Sequence, residues 1–167
     1  MKSIKEKITY YKESLDLFYD GIDQDCDGSD ATRKVSVGTS HWCILEEDSS
    51  ISCDGGDSKG QVSGAPTGTG FVDVQAGHRF GCSLDVNGSI ECWGDDAYNK
   101  VSTTPNGTYT QISVGFDHAC ALDDTGSIHC WGIDDGGQTL HVGHPIDDGQ
   151  VTDAPTSGTY VQIDSGG

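Results

Sequence analysis

Six of the seven cysteines form three pairs at one separation: Cys43–Cys53, Cys82–Cys92 and Cys120–Cys130. A constant step of ten has a geometric source. In "CALDDTGSIHCWG", residues 120–132, a loop Asp124-Thr125-Gly126 closed by Asp123 and Ser127 has the form of a type I turn with a G1 bulge. Gly126 supplies the left-handed conformation that the bulge requires. Counting outward from the turn, Leu122 faces Ile128 and Cys120 faces Cys130. Strand alternation makes the cysteines a non-hydrogen-bonded pair with α-carbons about 4.5 Å apart. The second copy follows the same rule around Val86-Asn87-Gly88, and the first does so with Ser49 in place of the loop glycine.

On the opposite hairpin face, Trp93 faces Gly81 and Trp131 faces Ala119. In the first copy Asp54 takes the tryptophan position and Trp42 stands directly across from it. This predicts an indole retained on one packed patch from the other strand. Apolar residues on both faces demand neighbouring sheets on both sides. Each hairpin is followed by a Pro-containing connector and an alternating apolar segment, "FVDVQAG", "YTQISVG" or "YVQIDSG". Each unit should therefore supply three or four short strands.

Gly38, Gly77, Gly115 and Gly166 mark successive repeat starts, the last one delayed by the insertion "TLHVGHPIDDGQ" at 139–150. The repeats divide as 35–74, 75–112 and 113–163, with a fourth beginning at 164–167. Before them stand an N-terminal segment, 1–19, and an acidic linker, 20–34. In the first segment Ile4, Ile8, Tyr11, Leu15 and Phe18 recur at helical spacing, and Ser3 with Glu6 has the form of a capping box. Early lysines and late acids oppose the helix dipole, so the segment is read as a short amphipathic helix or as disordered.

The third copy carries Gly115, His118, Ala121, Leu122, Gly126, Ile128, Trp131-Gly132 and Gly137-Gln138. This pattern resembles the repeat of the regulator-of-chromosome-condensation family, and the likeness covers about residues 35–167. Copy one departs from it at Asp54, and copy two at Phe80 and at Asn99-Lys100. The resemblance implies an all-β, partial β-propeller of about three blades. A full seven-bladed ring needs more than twice as many repeats, so open blade surfaces are expected at both ends and the chain reads as incomplete.

The cysteine pairs are open to three readings: disulfides, zinc ligands or free buried thiols. Zinc sites favour closely spaced C-x₂₋₄-C knuckles, and none occurs. The facing geometry suits disulfides, each closing a short loop and contributing about 2–3 kcal/mol in the chain-entropy model. Disulfides in turn point to a secreted or cell-surface setting, although the N-terminus lacks the apolar run of a signal peptide.

Residues 20–30, "DGIDQDCDGSD", set Asp23, Asp25 and Asp27 in alternation before Gly28, like the first half of a calcium loop. Lys34 stands where an EF-hand needs a bidentate glutamate. Asp20 or Asp30 would have to complete the shell. The stretch also resembles a DGxDxDCDG metal-binding motif, and Ca²⁺ is the expected cofactor, with a solvated acidic linker as the alternative. Cys26 has no evident partner. Within the insertion His141, His144, Asp147 and Asp148 form the expected partner-binding loop, since loops on rigid scaffolds carry recognition.

The 27 acidic against 9 basic residues give a net charge of −18, which argues against nucleic acid and anionic lipid as partners. No apolar run is long enough to span a membrane. No phosphate-cradling loop or nucleophile elbow is present, and no catalytic residues are assigned. The expectation is a non-enzymatic extracellular or cell-surface module that binds a protein partner. The alternative, implied by the resemblance alone, is a regulator of another enzyme: an inhibitor of a secreted enzyme, or a nucleotide exchange factor.

Overall fold

The structure, a computed structural model, describes residues 33–133 and 150–166. These residues hold three antiparallel sheets of three strands each. The first comprises β1 (Lys34–Val37), β2 (His41–Leu45) and β3 (Ile51–Gly55). The second comprises β4 (Phe71–Ala76), β5 (Phe80–Asp85) and β6 (Ile90–Gly94), and the third β7 (Tyr109–Val114), β8 (His118–Asp123) and β9 (Ile128–Gly132). The helical reading of residues 1–19 lies outside the described residues.

The hairpin register is the one the turns dictate. Cys43 faces Cys53, Cys82 faces Cys92 and Cys120 faces Cys130, with Leu84 opposite Ile90 and Leu122 opposite Ile128. All three cysteine pairs are disulfides. Their α-carbons lie 4.0–4.1 Å apart, closer than the expected value, because a bond between directly facing side chains draws the strands together.

The second and third turns are each held by their first residue, whereas in the first Asp48 Oδ1 accepts the Ser50 amide. In the third, Oδ1 of Asp123 accepts the amides of Thr125 and Ser127 at 2.9 Å. In the second, Asp85 Oδ1 accepts those of Asn87 and Ser89. Gly88 and Gly126 adopt φ of 82° and 81°, and Ser49 adopts the same left-handed conformation at 62°. The glycines also have a steric reason: a Cβ at Gly88 would lie 2.7 Å from Cγ2 of Thr108. In copy one the residue at the threonine position is Gly70, so Ser49 has the room its counterparts lack. The turn carbonyl then accepts the amide that opens the next sheet, Ser49 from Phe71 and Gly88 from Tyr109.

The sheets stack as blades through unlike faces. The end face of the first carries Cys43, Leu45, Ile51 and Cys53, and it packs against Val74 and Trp93 of the second. The end face of the second (Phe80, Cys82, Leu84, Ile90, Cys92) packs against Ile112, Ala119, Ala121 and Trp131 of the third. Each indole reaches back to the preceding connector: Trp93 Nε1 donates to the Gln61 carbonyl at 2.9 Å and Trp131 Nε1 to that of Lys100 at 3.0 Å.

The repeat glycines mark the closest backbone approach. A Cβ at Gly77 would lie 2.5 Å from the carbonyl oxygen of Gly115, and Gly38 meets Gly77 and Gly115 meets Gly166 in the same way. Over each of the first three glycines sits an aromatic ring of its own blade, His41, Phe80 or His118. Backbone meeting backbone leaves no space for a side chain.

Two expectations are corrected. Trp42 is not packed: it is 38% exposed, and Val35 and Val37 beside it are exposed too. The tryptophans on β6 and β9 are buried against a preceding connector, and no preceding blade exists among the described residues to receive Trp42. The segment 160–166 is not a ladder strand. It lies along the third sheet, with Ile163 N donating to Gln111 Oε1 and Ser165 N to Ser113 Oγ, and no hairpin pairs with it among the described residues. The unit therefore contributes three strands wherever it is complete.

Ser49→Gly should raise stability by about 1 kcal/mol, since a non-glycine residue in the left-handed region carries a cost of that order. Urea unfolding of the oxidised protein measures it. An unchanged or lower midpoint would show that the serine side chain contributes more than its backbone conformation costs.

Candidate functional site

The loops joining first to second strands, 77–79 and 115–117, meet the connector 95–100 at one end of the blade stack. Here His78 stacks on Phe116 with ring centroids 4.1 Å apart and planes 18° apart, and His78 N donates to the Phe116 carbonyl. Phe116 remains largely exposed on its other side. Beneath them Lys100 is fully buried. Its ammonium bonds to Asp117 of the third blade and lies 3.5 Å from Asp95 Oδ2, and it sits 5.0 Å from the Phe80 ring centroid. Asp95 also pairs with Lys59, and Asp117 lies 3.7 Å from His78 Nδ1. A buried cation thus ties three blades' loops into one charged network.

Two backbone outliers border this network. Arg79 has φ of 62° and Tyr98 of 65°. Asn99 is also left-handed, but there the equivalent residue in copy one is Gly60, itself at φ 77°, so the repeat accounts for it. Ser40 and Asp117, the equivalents of Arg79, and Lys59, the copy-one equivalent of Tyr98, show no such conformation, and strain of this kind gathers at functional surfaces. Arg79 is exposed, and its carbonyl accepts the amide of Asp95. Every other Lys or Arg among the described residues is engaged by a carboxylate. Arg79 alone offers a free guanidinium.

Arg79, Tyr98, Phe116 and His118 line a cleft of about 1180 Å³ together with the Cys120–Cys130 disulfide and Ile163. Burial raises the Tyr98 phenol above its usual pKa, with the Asp117 and Asp95 charges adding to the effect. Burial lowers the His118 imidazole, opposed in part by Asp117. The cleft combines an exposed aromatic, a phenol and an uncommitted guanidinium on a rigid base, which is the composition of a protein-recognition surface.

Asp20, Asp23, Asp25, Asp27 and Asp30, with Cys26, lie outside the described residues, as do His141, His144, Asp147 and Asp148. Among the described residues no cluster of His, Cys, Asp and Glu has the makings of a metal site. His129 turns away from Cys130: its Nε2 lies 3.0 Å from Asp123 Oδ2, and its ring meets Tyr109 edge-on. The Lys100 network was missed. Its signal was present in the substitution of Lys for the repeat Gln in copy two, which needs a carboxylate nearby, but nothing local to Lys100 points to Asp117.

Comparison with known proteins agrees with the fold. Residues 109–138 match the Regulator of chromosome condensation (RCC1) repeat. No curated protein matches the chain. Among solved structures, it is similar to the ectodomain of the Physcomitrella patens receptor kinase CR4, at 24% identity and a TM-score of 0.62, over 83% of this chain and 34% of that one. It is similar to the CRINKLY WD40 ectodomain of the Arabidopsis thaliana receptor kinase ACR4, at 22% identity and a TM-score of 0.59, over 79% and 42%. Saccharomyces cerevisiae Prp20p, described with its binding properties to Gsp1p and histones, is similar at 15% identity and a TM-score of 0.53, over 63% and 34%. At these identities the likeness is one of fold, and the chain spans less than half the length of each. It is a partial β-propeller of about three blades.

Two outcomes follow. Lys100→Gln should cost about 2 kcal/mol, because the carboxylates it leaves behind lose their buried partner. The double variant Lys100→Gln/Asp117→Asn should recover about half of that, a coupling that additive unfolding energies would refute. Second, burial also lowers the pKa of His41, against a weaker opposing effect of the Phe80 backbone. Both His41 and His118 prefer the neutral form when folded, so stability is full above the unfolded value near 6.5 and declines as pH falls through it. His41→Phe, which copies Phe80, should flatten the decline between pH 7 and pH 5 in urea titrations.

Proposed function

We propose that this chain is a non-catalytic module that binds a protein partner through the cleft at the second and third blades, and that it works outside the reducing cytosol. The observation that carries the proposal is the set of three cross-strand disulfides, one in every described blade. Such bonds form and persist in oxidising compartments. Two of the similar structures are receptor ectodomains, which supports an extracellular setting. Prp20p, with its binding properties to Gsp1p and histones, supports a protein partner for this fold. Among the described residues no helix is long and apolar enough to cross a membrane.

The linker at 20–34 belongs to the same proposal as a calcium-binding element, with Asp20, Asp23, Asp25, Asp27 and Asp30 as ligands. A cation there would relieve the repulsion among neighbouring carboxylates, and millimolar extracellular calcium would keep even a weak site filled. Regulation of a secreted enzyme is the second reading. It shares the oxidising setting and differs only in the partner. Nucleotide exchange on a cytosolic GTPase fits three disulfides poorly.

Alkylation of native, unreduced protein followed by mass spectrometry should modify Cys26 alone. Seven alkylated cysteines in freshly isolated material would overturn the extracellular reading. Calorimetric titration with Ca²⁺ should show one site in the full chain and none in Asp25→Ala, and the absence of heat in both would remove calcium from the proposal.

A further inference from the structure

The second residue after the repeat glycine is Ser40, Arg79 and Asp117 in turn, and its backbone has the same task in each copy. Its carbonyl accepts an amide from just beyond the third strand: Gly56 N for Ser40, Asp95 N for Arg79 and Ile133 N for Asp117. Of the three, Arg79 alone is left-handed, at φ 62°. A residue with a Cβ enters that region only at a cost. The carbonyl bond does not require it, since two copies make the bond without it.

The side chain is where the copies part. Asp117 turns inward: its carboxylate bonds to the buried Lys100, and only 16% of the side chain is exposed. In copy one the residue that matches Lys100 is Gln61, which is buried and already engaged, accepting from Lys59 N at 2.8 Å and donating to Ser40 Oγ at 3.4 Å. Arg79 instead stays exposed, and its guanidinium has no carboxylate partner among the described residues. The carboxylates of the flanking segments are taken. Asp95 lies 3.5 Å from both Lys59 and Lys100, Asp117 bonds to Lys100, and Asp96 accepts the amides of Val101 and Ser102.

The same cleft offers an apolar surface. Phe116 lines it with Arg79 and is 47% exposed, held in place by His78 stacked on one face. A guanidinium is a planar fork of donors that matches a carboxylate and holds it through two parallel hydrogen bonds. A nucleic-acid backbone calls for several unpaired cations, and the described residues provide one. On the reading that this cleft is the recognition surface, we infer that Arg79 is its specificity anchor. It takes a Glu or Asp carboxylate of the partner protein, while Phe116 packs against the apolar side chain next to that acid. The net charge of −18 would by itself draw a cationic partner, so the local and the global fields select ligands of opposite sign.

NMR titration of the isotope-labelled full chain with N-acetyl-Glu-Phe-amide and its Gln and Lys counterparts separates the two. The Glu peptide should bind several-fold more tightly than the Gln peptide, with the Lys peptide weakest, and should shift the Arg79 and Phe116 resonances. Arg79→Gln should reduce the Glu peptide to the level of the Gln peptide, and Phe116→Ala should weaken both by a similar factor. Arg79→Gly should lose the same preference while raising the unfolding midpoint, because glycine adopts this backbone freely, so misfolding is not the cause of the loss. Equal binding of the Glu and Gln peptides, with Phe116→Ala still weakening both, overturns the carboxylate assignment and leaves the recognition cleft standing. Preference for the Lys peptide overturns it in favour of a cationic partner. No shift with any of the peptides overturns the anchor and the recognition role of the cleft together.

Discussion

The contact on which the blade stack depends is backbone against backbone. Where Gly38 meets the carbonyl of Gly77, Gly77 that of Gly115, and Gly115 that of Gly166, no side chain intervenes. This close approach sets the spacing of the blades at one end. The aromatic ring over each glycine then closes the gap from within the blade. Everything outward of that line follows. The disulfide lies under the next blade's inner strand and tryptophan, and the indole N–H finds a carbonyl in the preceding connector. A methyl group at Gly38 or Gly77 would meet the next blade's backbone carbonyl and push two blades apart.

What sequence could reveal divides along the range of the interaction. Hairpin register was legible because a turn and a two-residue alternation are local, and Cys82 cannot face Cys92 without Gly81 facing Trp93. The position of Trp42 was not legible. Volume conservation across a strand pair describes one sheet, whereas burial of an indole depends on what the neighbouring sheet provides. The same limit hid the candidate cleft. Lys100, Asp95 and Asp117 converge from a connector, the end of a hairpin and the next blade's loop, and spacing along the chain carries no trace of that meeting. Arg79 gave no signal at all: an unremarkable residue in a short loop becomes notable only through its backbone conformation and the lack of a carboxylate beside it.

The acidic composition looks different once the loops are seen. Asp85 and Asp123 each accept two turn amides, Asp57 accepts those of Val62 and Ser63, and Asp96 those of Val101 and Ser102. These hydrogen bonds hold the Asp57 and Asp96 carboxyls below their usual pKa, and the Asp123 carboxyl is lowered first by the His129 and Thr125 side chains, with the turn amides adding to the effect. A fold made of short strands has many turns, and a carboxylate that accepts two backbone N–H groups is a compact way to close one. Part of the negative charge is therefore architectural. It needs neither a cation nor a cationic partner to account for it, which leaves the acids at 20–30, outside the repeats, as a separate case.

Repetition also sharpens the search for function, because each blade acts as a control for the others. Asn99 is left-handed, but so is its equivalent Gly60, and its conformation is thereby explained by the unit. Ser49 departs from the glycine of its two counterparts, but Gly70 departs with it and restores the space. Neither change requires a purpose beyond folding. Arg79, Tyr98 and Phe116 have no such compensation: two of them are left-handed where their described equivalents are not, and the third exposes a large ring beside them. Uncompensated departures at the cleft point to recognition.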